Sequence, residues 1–337
     1  MIFFRSDYSA GAHPRILEAL QKTNYEHTDG YFLDDHCYKA ADMIKERLGD
    51  DTVDVHFMVG GTITNLTAIS AFLRPYEAAV AAKTGHICVH ETGAIEATGH
   101  KVIHLETEDG KVRPEQVAAV CREHEDEHMV KPKLLYISDT TEIGTIYTKA
   151  ELTALREVCD ANNMYLYMDG ARLASALTAE GNDLTLSDLP KILDAFYIGG
   201  TKNAFLMGEA LVIVNPDLKE NFRYMIKQKG GMFAKGRLIG LQFEEMFKDN
   251  LYFDIAAETN RYAKMLRDGI AAKGYSFSTD SPSNQIFPVF PNNLVKKLEE
   301  KYFFYHWGEV DTEHTAIRLV TSWVTTEEDI NSFLSDI

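Results

Sequence analysis

Apolar positions along the chain alternate between two periods. PRILEALQKTN (14–24) and HCYKAADMIKERLGD (36–50) repeat apolar residues every three or four positions, which predicts two helices. VDVHFMV (53–59) is a short β-rich run, and GGTITNLTAISAFL (60–73) turns through two glycines into helical spacing. The order strand, turn, helix then recurs. KLLYISD (133–139) precedes the helical KAELTALREVCDANN (149–163), and the apolar runs YLYMD (165–169), DAFYIGG (194–200) and EALVIVN (209–215) follow. Repeated βαβ units predict an α/β fold, a large domain whose mostly parallel sheet is sandwiched by helices. From Leu251 the character changes. FDIAAETNRYAKMLRDGIAAKG (253–274) reads as one long amphipathic helix, and QIFPVF, FFYHW and TAIRLVTSW read as edge-type strands. The expected division is a large domain over 1–250, including an N-terminal extended segment, and a smaller C-terminal α+β domain over 251–337.

Charge narrows the partners. Thirty-four Lys and Arg against 51 Asp and Glu leave a net charge of −17, which repels nucleic acid and anionic membrane surfaces. No run approaches the roughly 18–20 apolar residues of a membrane helix, and MIFFRSDYSAGAHP lacks the layout of a signal peptide. The expectation is a cytoplasmic protein. Cys37, Cys88, Cys121 and Cys159 are scattered without a C-x-x-C pair and read as reduced and structural.

In open parallel sheets ligands bind beyond the carboxyl ends of the strands, so the polar residues there carry the candidate chemistry. After the first run comes Gly60-Gly61-Thr62-Ile63-Thr64-Asn65, whose free backbone N–H groups at a helix start suit an anion. It has neither a Walker lysine nor G-x-G-x-x-G spacing, and an ordinary helix cap would use the same residues. After YLYMD, the acid Asp169 is followed three residues later by Arg172. The two could form an internal ion pair, or the acid could hold a protonated pyridine nitrogen. After DAFYIGG, Lys202 follows Gly199 and Gly200, where desolvation would make its amine nucleophilic; a lysine reaching out to solvent is the other reading. The order shifts the balance toward the functional readings: an anion cradle, a strand-end acid, then a lysine 33 residues later.

SDYSAGAHP, GGTITN, GHICVHETGAIE, TTEIGT, DGARL and GGTKN, in this order over roughly residues 3–245 and resumed by IRLVTSW, resemble the threonine aldolase and β-eliminating lyase family. The resemblance implies an aspartate-aminotransferase-like fold of type I, pyridoxal 5′-phosphate as cofactor, and lyase chemistry on an amino acid. It implies that Lys202 forms the Schiff base, that Asp169 partners the pyridinium, and that Gly61 and Thr62 hold the phosphate. His86 would lie on the pyridine face and relay protons. Arg172 would neighbour the cofactor's phenolic oxygen and the substrate carboxylate, which Ser6 and Arg318 would also grip, a guanidinium fork being well shaped for that anion. Two departures stand out. Glu142 occupies a position where many members carry histidine, so Glu142, His86 or a water would have to serve as base. KQKGGMFAKG differs from the arginine-bearing form, leaving Lys235 as a candidate phosphate contact, reaching in from a neighbouring subunit. The implied reaction is cleavage of L-threonine or L-allo-threonine to glycine and an aldehyde; another β-eliminating lyase or an amino-acid racemase is the alternative. A homodimer or homotetramer with shared active sites is expected, with Tyr31 or Lys235 lent across the interface.

One motif points elsewhere. His124-Glu125-Asp126-Glu127-His128 matches H-E-x-x-H, by which two histidines one helical turn apart bind zinc. Its surroundings are charged on every side and end at Pro132, as a solvated helix terminus would, and no third ligand is visible. No metal site is expected.

Overall fold

The computed structural model describes residues 1–337. A two-residue strand β1 (Ile2–Phe3) opens the chain, followed by α1 (Pro14–Lys22) and α2 (Asp35–Leu48). α2 starts where Asp34 accepts the Cys37 N–H at 3.0 Å and stops at Gly49, whose φ of 67° is the left-handed conformation that favours glycine. Then come β2 (Asp54–Met58), α3 (Gly61–Phe72), β3 (Glu77–Ala82), the single turn α4 (His86–Val89), β4 (Val102–Leu105) and α5 (Pro114–Glu123). β5 (Lys131–Ser138), α6 (Lys149–Ala161), β6 (Tyr165–Asp169), α7 (Leu173–Thr178), β7 (Ala195–Gly199) and β8 (Glu209–Ile213) complete the large sheet.

Its order is β2-β8-β7-β6-β5-β3-β4. The five strands from β7 to β4 run parallel, joined by helical crossovers, whereas β8 is antiparallel to both β7 and β2. The short β7–β8 connection, residues 200–208, is why: it has no room for a crossover helix, so the chain must turn straight back. Successive strand residues face opposite layers. Leu135, Ile137, Phe196 and Ile198 join the core shared with α2, α6 and α9 (Arg237–Phe247), while Leu134, Tyr136, Ala195 and Tyr197 join the core under α3 and α8 (Phe222–Gln228). Burial on both faces explains the unbroken apolar runs.

The 22-residue α10 (Leu251–Ala272) leads into β9 (Gln285–Ile286), β10 (Val289–Pro291), α11 (Asn292–Glu299), β11 (Tyr302–Phe303), β12 (Tyr305–Glu309), β13 (His314–Val320) and α12 (Glu327–Asp336). Here the edge-strand expectation for TAIRLVTSW fails. β13 is central, paired with β12 on one side and with β10 and β9 on the other, and its Ala316, Ile317, Leu319 and Val320 are buried. Its apolar run reflects that enclosure. QIFPVF is broken into β9 and β10 around Pro288, which has no N–H for a ladder. The chain start joins this unit as well: β1 pairs with β11, and Phe4 packs among Leu266, Phe290, Ile317 and Phe333. No helix is long and apolar enough to cross a membrane.

Candidate active site

The β7–β8 turn presents Lys202. A Cβ on Gly199 would lie 2.5 Å from the Ala171 carbonyl oxygen, so the turn can approach the β6–α7 loop only through glycine. Glu209 fixes the turn from below, accepting the Gly200 N–H at 2.9 Å and the Thr201 hydroxyl at 2.7 Å, while Asn203 donates to the Tyr252 carbonyl at 2.8 Å. The Lys202 amine makes no hydrogen bond or ion pair of its own. Burial and the Arg172 charge lower its pKa, against the opposing pull of Asp7, Asp169 and Glu209. The result is a positioned amine with a reduced hold on its proton.

Asp169, at the end of β6, is 4% exposed and takes four donors: the Tyr136 hydroxyl (2.7 Å), Asn65 Nδ2 (2.9 Å), the Ala171 N–H (3.0 Å) and the Tyr197 hydroxyl. Burial alone would raise its pKa; the His86 imidazole and the Tyr197, Asn65 and Tyr136 hydrogen bonds outweigh that and hold the carboxyl below its ordinary value. It is a buried, ionised acid. The internal Asp169–Arg172 pair is not formed. Arg172 instead grips Asp7 with two nitrogens, Nε at 2.7 Å and Nη2 at 3.1 Å. Beside Asp169, α3 begins at Gly61 with no side-chain cap, leaving its first N–H groups free, and Gly61 sits where a Cβ would come within 3.0 Å of the Tyr197 hydroxyl.

A cavity of about 590 Å³ brings together Lys202, Arg172, His86, His90, Glu142 and Arg318, walled by Tyr8, Tyr305 and Trp307. That volume suits a small molecule. Arg318 reaches it from β13 with its guanidinium carbon 5.0 Å from the Tyr305 ring centre and 5.5 Å from that of Trp307, and its buried Nε has no hydrogen-bond partner. Glu142 accepts the His86 N–H at 2.8 Å and the Ser138 hydroxyl at 2.7 Å, and burial pushes its pKa up, favouring the uncharged acid. In a chain of net charge −17, this is a locally positive pocket suited to an anion.

Ser6 is buried with its hydroxyl against Ser9 and does not line the cavity; its neighbours Asp7 and Tyr8 reach Arg172 and the cavity wall. Thr62 and Lys235 are exposed, at the start of α3 and just before α9, outside the cavity lining. Sequence reading assigned no role to Asp7, Glu91, Glu209 or Trp307. Asp7 and Glu91 stand within the motifs SDYSAGAHP and GHICVHETGAIE, and Glu209 directly follows a glycine at the head of an apolar strand, which was the available signal. His124 is the residue at which α5 ends, its Nδ1 bonded to the Val120 carbonyl, and His128 lies beyond the helix with its side chain 88% exposed. The H-E-x-x-H residues therefore do not share a helical face.

The sequence profile of the β-eliminating lyases matches residues 4–293. The chain belongs to that family. It is 46% identical to a threonine aldolase of Leishmania major of solved structure, covering 99% of this chain and 98% of that one, with a TM-score of 0.98. A low-specificity L-threonine aldolase of Pseudomonas aeruginosa is 29% identical over 99% of this chain and 96% of its own length. The fold extends to an aspartate aminotransferase of Thermus thermophilus, with a TM-score of 0.75 at 15% identity over 100% of this chain and 90% of the other. Members of this family are pyridoxal-phosphate-dependent lyases, and the fold is of type I.

Proposed function

We propose that this protein is a pyridoxal-phosphate-dependent aldolase that cleaves L-threonine or L-allo-threonine to glycine and acetaldehyde. The observation that carries the reading is the Lys202 amine, desolvated, without a partner, and sharing one cavity with Arg318 and His86. Similarity to the Leishmania and Pseudomonas aldolases over nearly the whole chain supports the substrate.

The residues fit the cofactor. A buried amine with no partner suits a covalent link, an ionised buried acid suits a pyridinium, and the uncapped start of α3 suits a phosphate. Lys202, Asp169, His86, Arg172, Gly61 and Thr62 would hold it, and Lys235 would add a phosphate contact from a second subunit. Bound there, pyridoxal phosphate supplies an electron sink for the Cα–Cβ bonding pair. The chain's own groups do the rest. Arg318, with unpaired N–H donors against two aromatic faces, binds the substrate carboxylate, helped by the Arg172 nitrogen that Asp7 leaves free. His86 Nε2, which makes no hydrogen bond within the protein, takes the proton of the β-hydroxyl. Tyr8, Tyr305 and Trp307 exclude water around the reacting bond.

Exposed Tyr31 and Leu33 lie beside the segment that carries Lys235: the Tyr31 N–H donates to the Ala234 carbonyl at 3.2 Å, and Arg223 donates to the Tyr31 carbonyl at 3.1 Å. This apolar surface supports a homodimer or homotetramer. The deciding experiment records the near-visible spectrum with and without L-threonine, for the protein and for Lys202→Ala, and assays acetaldehyde. A band lost in the variant together with acetaldehyde release is expected. A band without acetaldehyde moves the function to another lyase or a racemase, and no band after reconstitution overturns the reading.

A further inference from the structure

His86 has an inward partner that the mechanism above does not use. Its Nδ1 lies 2.8 Å from Glu91 Oε1, and the Glu91 side chain is wholly buried. The same Oε1 accepts from Asn65 Nδ2 at 2.8 Å, and that nitrogen also donates to Asp169 Oδ2 at 2.9 Å. Asn65 cannot turn over, because its Oδ1 takes the Tyr167 hydroxyl at 3.0 Å. Four segments of chain therefore meet in one line: the start of α4, the residue two beyond its end, the first turn and a half of α3, and the end of β6.

We propose that Glu91 is a positioning residue that holds His86 in the Nδ1–H tautomer, keeps its Nε2 free as a proton acceptor facing the cavity, and ties the ring through Asn65 to the Asp169 carboxylate. The chemistry of the donors and acceptors requires this. Glu91 Oε1 already accepts the Asn65 N–H and so meets His86 as an acceptor; the ring nitrogen facing it carries the hydrogen, and in a neutral imidazole the other ring nitrogen does not. Both protons of the Asn65 amide are committed to acids, so Asn65 cannot feed one to His86. The Glu142 side chain fixes the other end of the residue by accepting the His86 main-chain N–H through Oε1. A purely structural glutamate would cap a turn or a helix; the Glu91 carboxylate receives no main-chain N–H, and its Oε2 is buried without any partner. Its only neighbours within hydrogen-bonding distance are the imidazole and the amide.

The functional weight of this arrangement rests on the cavity being the active site; the tautomer does not. The test is therefore made first on the protein without added cofactor, by 15N NMR of the histidine rings above their titration range, with His86→Asn identifying the signal. The expected result is Nδ1–H with Nε2 unprotonated, the opposite of the preference of free histidine. In Glu91→Gln the amide offers a donor of the same shape, and a mixture of tautomers is expected; in the loaded enzyme kcat falls about ten- to hundredfold, the size of loss seen when a metal-binding histidine loses its outer hydrogen-bond partner. Glu91→Asp restores part of both. A wild-type ring in the Nε2–H form, or a Glu91→Gln ring unchanged from wild type, overturns the proposal. The tautomer shift in a protein that forms no acetaldehyde supports it and overturns the aldolase reading alone.

Discussion

A cation with aromatic faces in place of an acidic partner is set up to receive an anion from outside. Arg318 is such a residue: Tyr305 and Trp307 hold its plane without neutralising it, while burial and Arg172 both work against its charge. Trp307→Ala is expected to raise KM for threonine about three- to tenfold with a smaller change in kcat, and Trp307→Phe to recover most of it, since a cation–π contact of this kind is worth roughly 0.5–2 kcal/mol. Steady-state kinetics of both variants check this; an unchanged KM in the alanine variant would show that the ring does not set the guanidinium. A different kind of buried charge sits at Asp139, where burial raises the carboxyl to about 8 and Oδ1 has no hydrogen bond. The sign follows from linkage. Below about pH 4 the acid is neutral in both the folded and the unfolded chain; between about 4 and 8 only the unfolded chain gives up the proton freely, so stability falls as pH rises. Asp139→Asn stays neutral throughout, and its stability relative to wild type should grow from pH 5 to pH 8 in urea denaturation. Parallel pH curves for the two proteins would contradict this.

At the scale of elements, most of the fold was legible because burial writes itself into period. The helices over 14–22, 35–48 and 149–161 and the strands over 131–138, 165–169 and 195–199 follow directly from the runs that announce them. Lys202, Asp169 and Arg172 were legible for a related reason, since strand ends in such sheets are where polar residues gather around ligands. What escaped was pairing across the chain. Nothing local in TAIRLV says that three strands will pair with it, and nothing near Arg172 says that its partner is Asp7, 165 residues earlier. Glu91 stands in a quoted motif, yet its use depends on Asn65 arriving from another helix. The glycines at strand ends mark such approaches more plainly. A Cβ on Gly170 would lie 1.9 Å from the Tyr197 carbonyl oxygen, a backbone atom that cannot step aside. Gly170→Ala must push β6 from β7, and a loss of about 3 kcal/mol or more is expected, at the upper end of overpacking costs. A denaturation midpoint within error of wild type would show that the strands part without penalty.

Across the whole molecule, the N-terminal segment joins its two parts. β1 pairs with β11 in a two-stranded sheet of its own and Phe4 joins the C-terminal core, and three residues later Asp7 crosses to Arg172 beside Lys202, while Asn284, just before β9, donates to the same carboxylate at 2.9 Å. Burial by itself would raise the Asp7 pKa, but the Arg172 and Lys202 charges and the hydrogen bonds from Arg172 and Asn284 hold it below the ordinary carboxylate value. The stability it contributes is therefore present above about pH 4 and lost as pH falls through its depressed value. Asp7→Asn removes that acid-side loss and leaves Arg172 buried without its anion, a change that costs about 3–5 kcal/mol when one member of a buried pair is deleted. It also removes one of the charges that support the protonated Lys202, so the amine should give up its proton at lower pH than in wild type. Two measurements on one variant separate these effects: the unfolding free energy at neutral pH, and the pH dependence of Lys202 labelling by an amine-directed reagent. A large loss of stability with an unmoved labelling profile would make Asp7 a structural tie alone. If both move, the contact that joins the two parts also sets the charge on the reactive lysine, and the positioned amine depends on the C-terminal unit being docked.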